Sequence, residues 1–316
     1  MPSTPGAAEI DIAARLLRDG RLVAFPTETV YGLGANALDA QAVARIYAAK
    51  RRPAASPLIV HVASIEMARS LASAWPETAE LLARQFWPGP LTLVLPKSPA
   101  IPPIVTAGLA NVGLRMPSHP VALALIRAAG VPLAAPSANR FTELSPTTAG
   151  HVRASLGNDV DYVLDGGSSE VGIESTVLSL VEARPVLLRP GGISRADLAS
   201  TLGSIDSADA PGVAAHPAPG MHPRHYSPQT PLFLVANGEL PERGRGFYLQ
   251  HTRPPRRAQP QVLQMPHSAH EYAARLYSAL HQADSAHADW IAVDLPPATP
   301  PWEAVHDRLR RAAFSH

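Results

Sequence analysis

Short apolar runs bounded by turn residues punctuate the chain. Leu22 to Phe25, Leu58 to Val62, Leu91 to Leu95 and Val112 to Arg115 read as strands. Leu133 to Ala135, Tyr162 to Leu164, Thr176 to Leu180 and Val186 to Leu188 repeat the pattern. Between these runs lie segments of helical composition: Ile10 to Arg18, Ala42 to Ala49, Ser64 to Ala72, Pro76 to Phe86, Pro120 to Ala129 and Thr147 to Leu156. Gly20, Pro53 and Gly130 supply stops, Ser145 and Pro146 open the helix at Thr147, and Ser194 caps a last helix to about residue 202. Strands that alternate with helices predict an α/β domain.

The pattern then breaks. Six prolines fall between Pro211 and Pro231, with little apolar periodicity, so this stretch reads as an extended linker. Apolar runs resume at 231–235, 246–249 and 290–295, with helices expected at 268–283 and 301–314 and a flexible loop at 252–261. The expected organisation is a first domain over 1–206, a proline-rich linker or lid over 207–230, and a small α/β unit over 231–316.

Composition narrows the function classes. A chain of 316 residues that is 46% hydrophobic can bury a real core. It has no cysteine, so disulfides, thiolate catalysis and Cys-zinc sites are excluded. No run of about 18 uncharged apolar residues predicts a membrane span, and the N-terminus does not read as a signal peptide, which fits a cytoplasmic enzyme. A net charge of +1 argues against broad affinity for nucleic acid. His222 with His225, and His267 with His270, have a spacing that could suggest a metal site, but no further ligands match it, so they read as solvated side chains.

Candidate chemistry concentrates in residues 21–61. After the first strand, Pro26 opens a loop bearing Thr27, Glu28, Thr29 and Tyr31, and Gly32 and Gly34 let the backbone turn or approach a ligand. A helix then empties into Lys50, Arg51 and Arg52 before a strand that holds His61. Gly32, Gly34 and Ala37 imitate a dinucleotide fingerprint, but six residues separate them from the strand and a basic cluster stands where an acid belongs. That reading is rejected, and no Walker-type phosphate loop occurs. Taken alone, Lys50 to Arg52 would be a solvated helix end. Arg115 and Arg189 each end a strand near proline or glycine, and strand ends are where open α/β sheets bind ligands, so a polyanionic ligand becomes the better reading.

The segments FPTETVYGLG (25–34), KRRP (50–53), VGLRMP (112–117), AAPSANRFTELSPTT (134–148), GIESTV (172–177) and LRPGG (188–192) occur in the order of the YrdC-like family. The chain closely resembles its threonylcarbamoyl-AMP synthases. HYSP (225–228) resembles the linker motif of the long, two-domain members. The resemblance implies a twisted mixed sheet with a concave active-site face, followed by a small Rossmann-like C-terminal domain. It implies a nucleotidyltransferase that uses ATP, bicarbonate and L-threonine to form threonylcarbamoyl-AMP and pyrophosphate for modification of adenosine 37 in tRNA.

The same resemblance assigns residues. Lys50 and Arg52 would act on the nucleotide phosphates as the catalytic cations, with Arg51 pointing away. Ser56, Asn111, Ala135, Ser137, Asn139, Ser145, Arg189 and Tyr226 would complete the ATP site; Ser56 stands where many relatives carry asparagine. Thr29, His61, Arg115 and Ser175 would bind threonine, Arg115 through its carboxylate. Tyr226 would close the linker over the nucleotide as a lid. Glu28 and Asp165 do not make a metal cage, so Mg²⁺ would ride on the ATP phosphates. A tRNA threonylcarbamoyl transferase would take the product, with at most a weak RNA contact. Two rivals remain at this stage. A hydrogenase-maturation enzyme is disfavoured by the absent zinc-finger cysteines. A double-stranded RNA-binding protein would use the same basic concavity without turnover.

Overall fold

The computed structural model describes residues 5–208, 226–256 and 259–313. Ten strands of the first part form one mixed sheet: β1 (Val23–Phe25), β2 (Gly32–Asn36), β3 (Ile59–His61), β4 (Leu91–Pro96), β5 (Asn111–Arg115), β6 (Leu133–Ala134), β7 (Tyr162–Val163), β8 (Thr176–Ser179), β9 (Val186–Arg189) and β10 (Asp206–Ser207). Their order across the sheet is β10-β9-β8-β4-β5-β3-β6-β2-β1-β7. Seven helices accompany them: α1 (Ala7–Arg18), α2 (Ala40–Lys50), α3 (Ile65–Leu71), α4 (Glu77–Phe86), α5 (Pro120–Ala129), α6 (Ala149–Leu156) and α7 (Arg195–Leu202).

The two-residue period of the strands sorts side chains between the faces. Val60, Leu91, Leu93, Leu95, Leu114 and Leu178 share one core with α2, α3, α4, α6 and α7. On the opposite face, Val23, Phe25 and Leu133 pack against α1 and α5. Farther along that second face the alternate positions are Ile59 and His61 on β3, Gly113 and Arg115 on β5 and Thr92 on β4. None of them joins the hydrophobic cluster formed with α1 and α5, and this is where polar groups collect.

One expectation is corrected. Gly32 and Gly34 do not lie in a turn; they belong to β2, which pairs antiparallel with β1 through Phe25↔Gly32 and Val23↔Gly34. A Cβ on Gly34 would stand 2.8 Å from the Phe25 ring, so the glycine lets the strand lie flat on that ring. The register of β10, Asp206 and Ser207 against Val186 and Leu187, carries the first sheet one residue into the expected linker. Residues 209–225, most of that linker and including His222 and His225, lie outside the described residues.

The second unit has four parallel strands, β11 (Leu232–Val235), β12 (Gly246–Gln250), β13 (Gln261–Gln264) and β14 (Trp290–Asp294), in the order β11-β14-β12-β13. Two helices pack on it, α8 (Ala269–Ser285) and α9 (Glu303–Ala312). β13 begins where the sequence suggested only loop; it is an edge strand with mostly exposed, glutamine-bounded residues, so no apolar alternation announced it. The two parts share a core: Val30, Leu144, Ile173 and Tyr226 pack with Tyr272, Leu276, Tyr277 and Leu309. No helix among the described residues is long and apolar enough to cross a membrane.

Candidate active site

The uncovered end of the second face becomes a cavity of about 50 Å³. Thr27, Thr29, Arg52, His61, Arg115, Ser175, Arg189 and Tyr226 line it, with Gly32, Ala135, Pro136, Ser137 and Glu174. These residues come from separate elements that the sheet order brings side by side. β3 and β5 run parallel with His61 opposite Arg115, so the imidazole and guanidinium arrive at one level. Gly191 closes the far side: a Cβ there would lie 2.4 Å from the main chain of Glu174, Ser175 and Thr176. Its bareness lets the chain leaving β9 lie against the Glu174–Thr176 main chain, where Arg189 meets Ser175.

Each cation is held along one edge. Arg52 Nη2 donates to the Pro57 carbonyl at 3.1 Å, and its guanidinium lies 5.6 Å from the Phe141 ring centre. Arg189 donates to the Ser175 carbonyl from Nε at 3.1 Å and from Nη2 at 2.9 Å, and to Ser175 Oγ at 3.2 Å. Ser175 Oγ is also 2.8 Å from Thr92 Oγ1. Arg115 Nη2 stands 2.8 Å from Glu28 Oε1, with both side chains buried. Burial lowers the pKa of both Arg52 and Arg189. Several desolvated cations facing one cavity make a site for an anion.

The hydroxyl loop is polarised. Thr27 Oγ1 gives its one proton to the Val30 carbonyl at 2.6 Å and accepts from the main-chain amides of Thr29 and Val30. The 2.8 Å contact between Thr27 and Thr29 hydroxyls therefore takes its proton from Thr29. That leaves the Thr29 oxygen as an acceptor, suited to an ammonium or hydroxyl group.

His61 is 3% exposed, and its Nδ1 has no partner among the described residues. Burial first, then the nearby Arg115 charge, pushes its pKa down to about 3. The ring is therefore neutral near pH 7, and a buried, unpartnered ring nitrogen beside a cavity is suited to a ligand hydrogen bond. Stability follows: the unfolded histidine takes a proton as pH falls below its ordinary 6.5 while the folded one resists until about 3. Folding stability thus falls across that window on acidification. Between pH 7 and pH 5 the His61 share is about 2 kcal/mol, or ~4 °C in Tm. Thermal melts of the wild type and His61→Gln should show a smaller acid loss in the variant.

Nine of the residues assigned from the sequence meet on this cavity: Thr29, Arg52, His61, Arg115, Ala135, Ser137, Ser175, Arg189 and Tyr226. Five do not line it. Lys50, 1% exposed, donates from Nζ to the Ser137 carbonyl at 2.5 Å and to the Asn139 carbonyl, and so braces the wall from behind. Burial, then the Arg52 charge, lowers its pKa well below the usual lysine range. Asn139 Nδ2 donates to the Arg140 and Glu143 carbonyls, holding a turn. Ser145 donates to Glu174 Oε1 at 2.5 Å. The Ser56 carbonyl accepts from the Tyr47 hydroxyl at 2.9 Å. Asn111 starts β5, opposite Pro96 and at the other end of the strand from Arg115. Glu174 was missed: it stands within the quoted GIESTV motif, and only its acid character beside Ser175 could have flagged it. Among the described residues no three His, Asp or Glu side chains stand together as metal ligands.

A mixed sheet carrying a buried cationic cavity, joined to a small parallel unit, defines an α/β protein with a site for an anionic ligand. Residues 15–191 match the Sua5/YciO/YrdC family model, described as "Telomere recombination", and residues 193–314 match "Threonylcarbamoyl-AMP synthase, C-terminal domain". The chain belongs to the Sua5/YciO/YrdC family, in its long form with that C-terminal domain. A threonylcarbamoyl-AMP synthase from Pyrococcus abyssi is 51% identical over 72% of this chain and 68% of its own length. One from Bacillus subtilis is 43% identical over 96% of this chain and 93% of its own. The crystal structure of Pyrococcus abyssi Sua5 complexed with L-threonine superposes with a TM-score of 0.88 at 41% identity, covering 96% of this chain and 94% of that one.

Proposed function

We propose that this chain is a threonylcarbamoyl-AMP synthase, joining L-threonine, bicarbonate and ATP with release of pyrophosphate. One observation carries the reading: guanidinium groups from three separate segments, Arg52, Arg115 and Arg189, share a buried cavity with Thr29, neutral His61 and Ser175. Relatives named for this activity and a related structure with L-threonine support it. Arg115, with Nη2 and Nε engaged by Glu28 and the Gly89 carbonyl, offers its remaining edge to the amino-acid carboxylate. Thr29 accepts from the amine, and His61 Nδ1 meets the amino acid's polar end. Arg52 and Arg189 take the phosphates. Lys50 keeps the 137–139 wall in place.

The threonine amine, in its free-base form, attacks the bicarbonate carbon; the departing hydroxide takes the proton shed by the nitrogen, so that water leaves and N-carboxy-threonine forms. Its carbamate oxygen attacks the α-phosphorus, and the α–β bridging oxygen leaves with pyrophosphate. The protein's part is alignment and charge stabilisation. Mg²⁺ would come in with ATP and serve to offset phosphate charge, since among the described residues no three His, Asp or Glu side chains stand together to hold it. The product passes to a tRNA threonylcarbamoyl transferase, which places the work in the cytoplasm, and the three segments 1–206, 207–230 and 231–316 act as catalytic domain, lid and support. The duplex RNA alternative loses ground because the cations it needs, Arg52, Arg115 and Arg189, are 8%, 4% and 3% exposed.

Pyrophosphate release should require L-threonine and bicarbonate together; release indifferent to both sinks the reading. The cavity holds a few waters and not a nucleotide, so Tyr226 must move to admit ATP. Its backbone sits at φ 62°, an unusual setting for a bulky residue and one compatible with a second state. Tyr226→Ala is expected to raise KM for ATP about tenfold and to increase hydrolysis of the labile adenylate, read as pyrophosphate released in excess of product.

A further inference from the structure

The C-terminal unit reaches the cavity wall through one acid. Glu174 lines the cavity, yet three of its four side-chain partners are gathered from elsewhere. Ser145 donates to Oε1 at 2.5 Å. The Tyr277 hydroxyl, from α8, donates to Oε2 at 2.9 Å. Arg308 Nε, from α9, donates to the same Oε2 at 2.7 Å across 134 positions of sequence. Arg189, in the wall itself, adds a second positive field. Arg308 is 1% exposed, and it also donates from Nη1 to Asp307 at 2.6 Å. Its guanidinium carbon lies 5.3 Å from the centre of the Tyr226 ring, which packs 5.7 Å from the Tyr277 ring.

An anionic wall opposes an anionic ligand, and burial strengthens the opposition because little water screens it. Burial alone would push the Glu174 pKa up; Arg308, Arg189 and the Ser145 bond outweigh it, and the net direction is down. Glu174 is thus held ionised beside a cavity that must accept phosphates. The compensating cation belongs to the second unit, and the same cation supports the ring that closes the cavity.

We propose that Arg308 is a positioning residue of the active site, cancelling the Glu174 charge in the cavity wall and seating Tyr226, so that nucleotide affinity depends on the C-terminal unit. The proposal rests on the nucleotide reading of the same cavity. It predicts a pattern that lost packing alone does not give: removing Arg308 damages nucleotide binding, and removing the Glu174 charge as well repairs part of the damage.

The experiment uses the full-length chain as Arg308→Met, Arg308→Lys, and Glu174→Gln combined with Arg308→Met. ATP affinity is measured by calorimetry, and pyrophosphate release is followed with ATP varied. Arg308→Met is expected to raise Kd and KM for ATP at least tenfold with kcat changed less than threefold. The double variant, which regains the charge balance but not the support under Tyr226, should bind ATP clearly more tightly than Arg308→Met, and Arg308→Lys should fall between wild type and Arg308→Met. Unchanged ATP affinity in Arg308→Met, or equal damage in the single and double variants, overturns the proposal. Should Arg308→Met fail to fold, the other two variants decide, since each avoids a lone buried acid; a double variant that folds without binding ATP overturns it equally. If the wild type binds pyrophosphate but not ATP, the substrate reading fails and the same comparison is made with pyrophosphate. Binding of neither anion sinks both.

Discussion

Arg52→Ala is expected to lower kcat/KM for ATP by about a thousandfold, the scale found when a preorganised donor to developing charge is removed. The side chain is ready before the ligand arrives. The Pro57 carbonyl fixes Nη2, the Phe141 ring lies against the guanidinium, and the side chain lines the cavity. Alanine removes the charge and the fixed fork together. Lysine restores a charge without the fork, so Arg52→Lys should recover only part of the loss. Arg51 is the internal control. It caps α2 in the left-handed conformation at φ 51° with its side chain exposed, and Arg51→Ala should change turnover less than twofold. Steady-state kinetics with ATP varied, alongside thermal melts, separate lost binding from lost fold. A near-normal KM for ATP in Arg52→Ala would remove the phosphate assignment.

Arg115→Ala should fail in two separable ways. The amino-acid carboxylate loses its cation, and KM for threonine should rise about a hundredfold, the worth of a strong charge-assisted pair. Independently, Glu28 loses the Nη2 group 2.8 Å away while remaining buried. Breaking one partner of such a pair costs about 3–5 kcal/mol, and Tm should fall by ~10 °C. Adding Glu28→Gln to Arg115→Ala removes the stranded charge. Stability should then largely return while threonine use stays poor. Recovery of threonine KM in the double variant would show that Arg115 serves only to hold Glu28.

Much of this site could be read from the residues because its chemistry sits at places with local signatures. Arg115 and Arg189 end strands near proline or glycine, Arg52 directly precedes the helix stop Pro53, and the wall segment 135–137 follows a short apolar run. Lys50 shows where adjacency misleads. It is the last residue of α2, and the left-handed Arg51 reverses the chain after it, so Lys50 and Arg52 part company. The lysine enters the carbonyls of 137 and 139, a contact spanning 87 and 89 positions. Asn111 stands off the cavity for a reason its motif did not show: its neighbours Gly113 and Arg115 are on β5, but four residues of extended chain put it about 13 Å from Arg115. Gly32 and Gly34 resembled a turn because glycine is ambiguous between bends and close packing, and the Phe25 ring that decides it becomes visible only in the pairing of β1 with β2. Glu174 lay in a quoted motif, yet its role is set by Tyr277 and Arg308, and no local period links residues that far apart.

Val30, Leu144 and Ile173 bury their side chains among residues of α8 and α9. A fragment cut after residue 208 would present these three to solvent, together with an ionised Glu174 stripped of Arg308 and Tyr277. The shared core is expected to make the two modules melt together, and a dissection that works for independent modules would here be expected to yield an aggregating stump in place of a smaller enzyme.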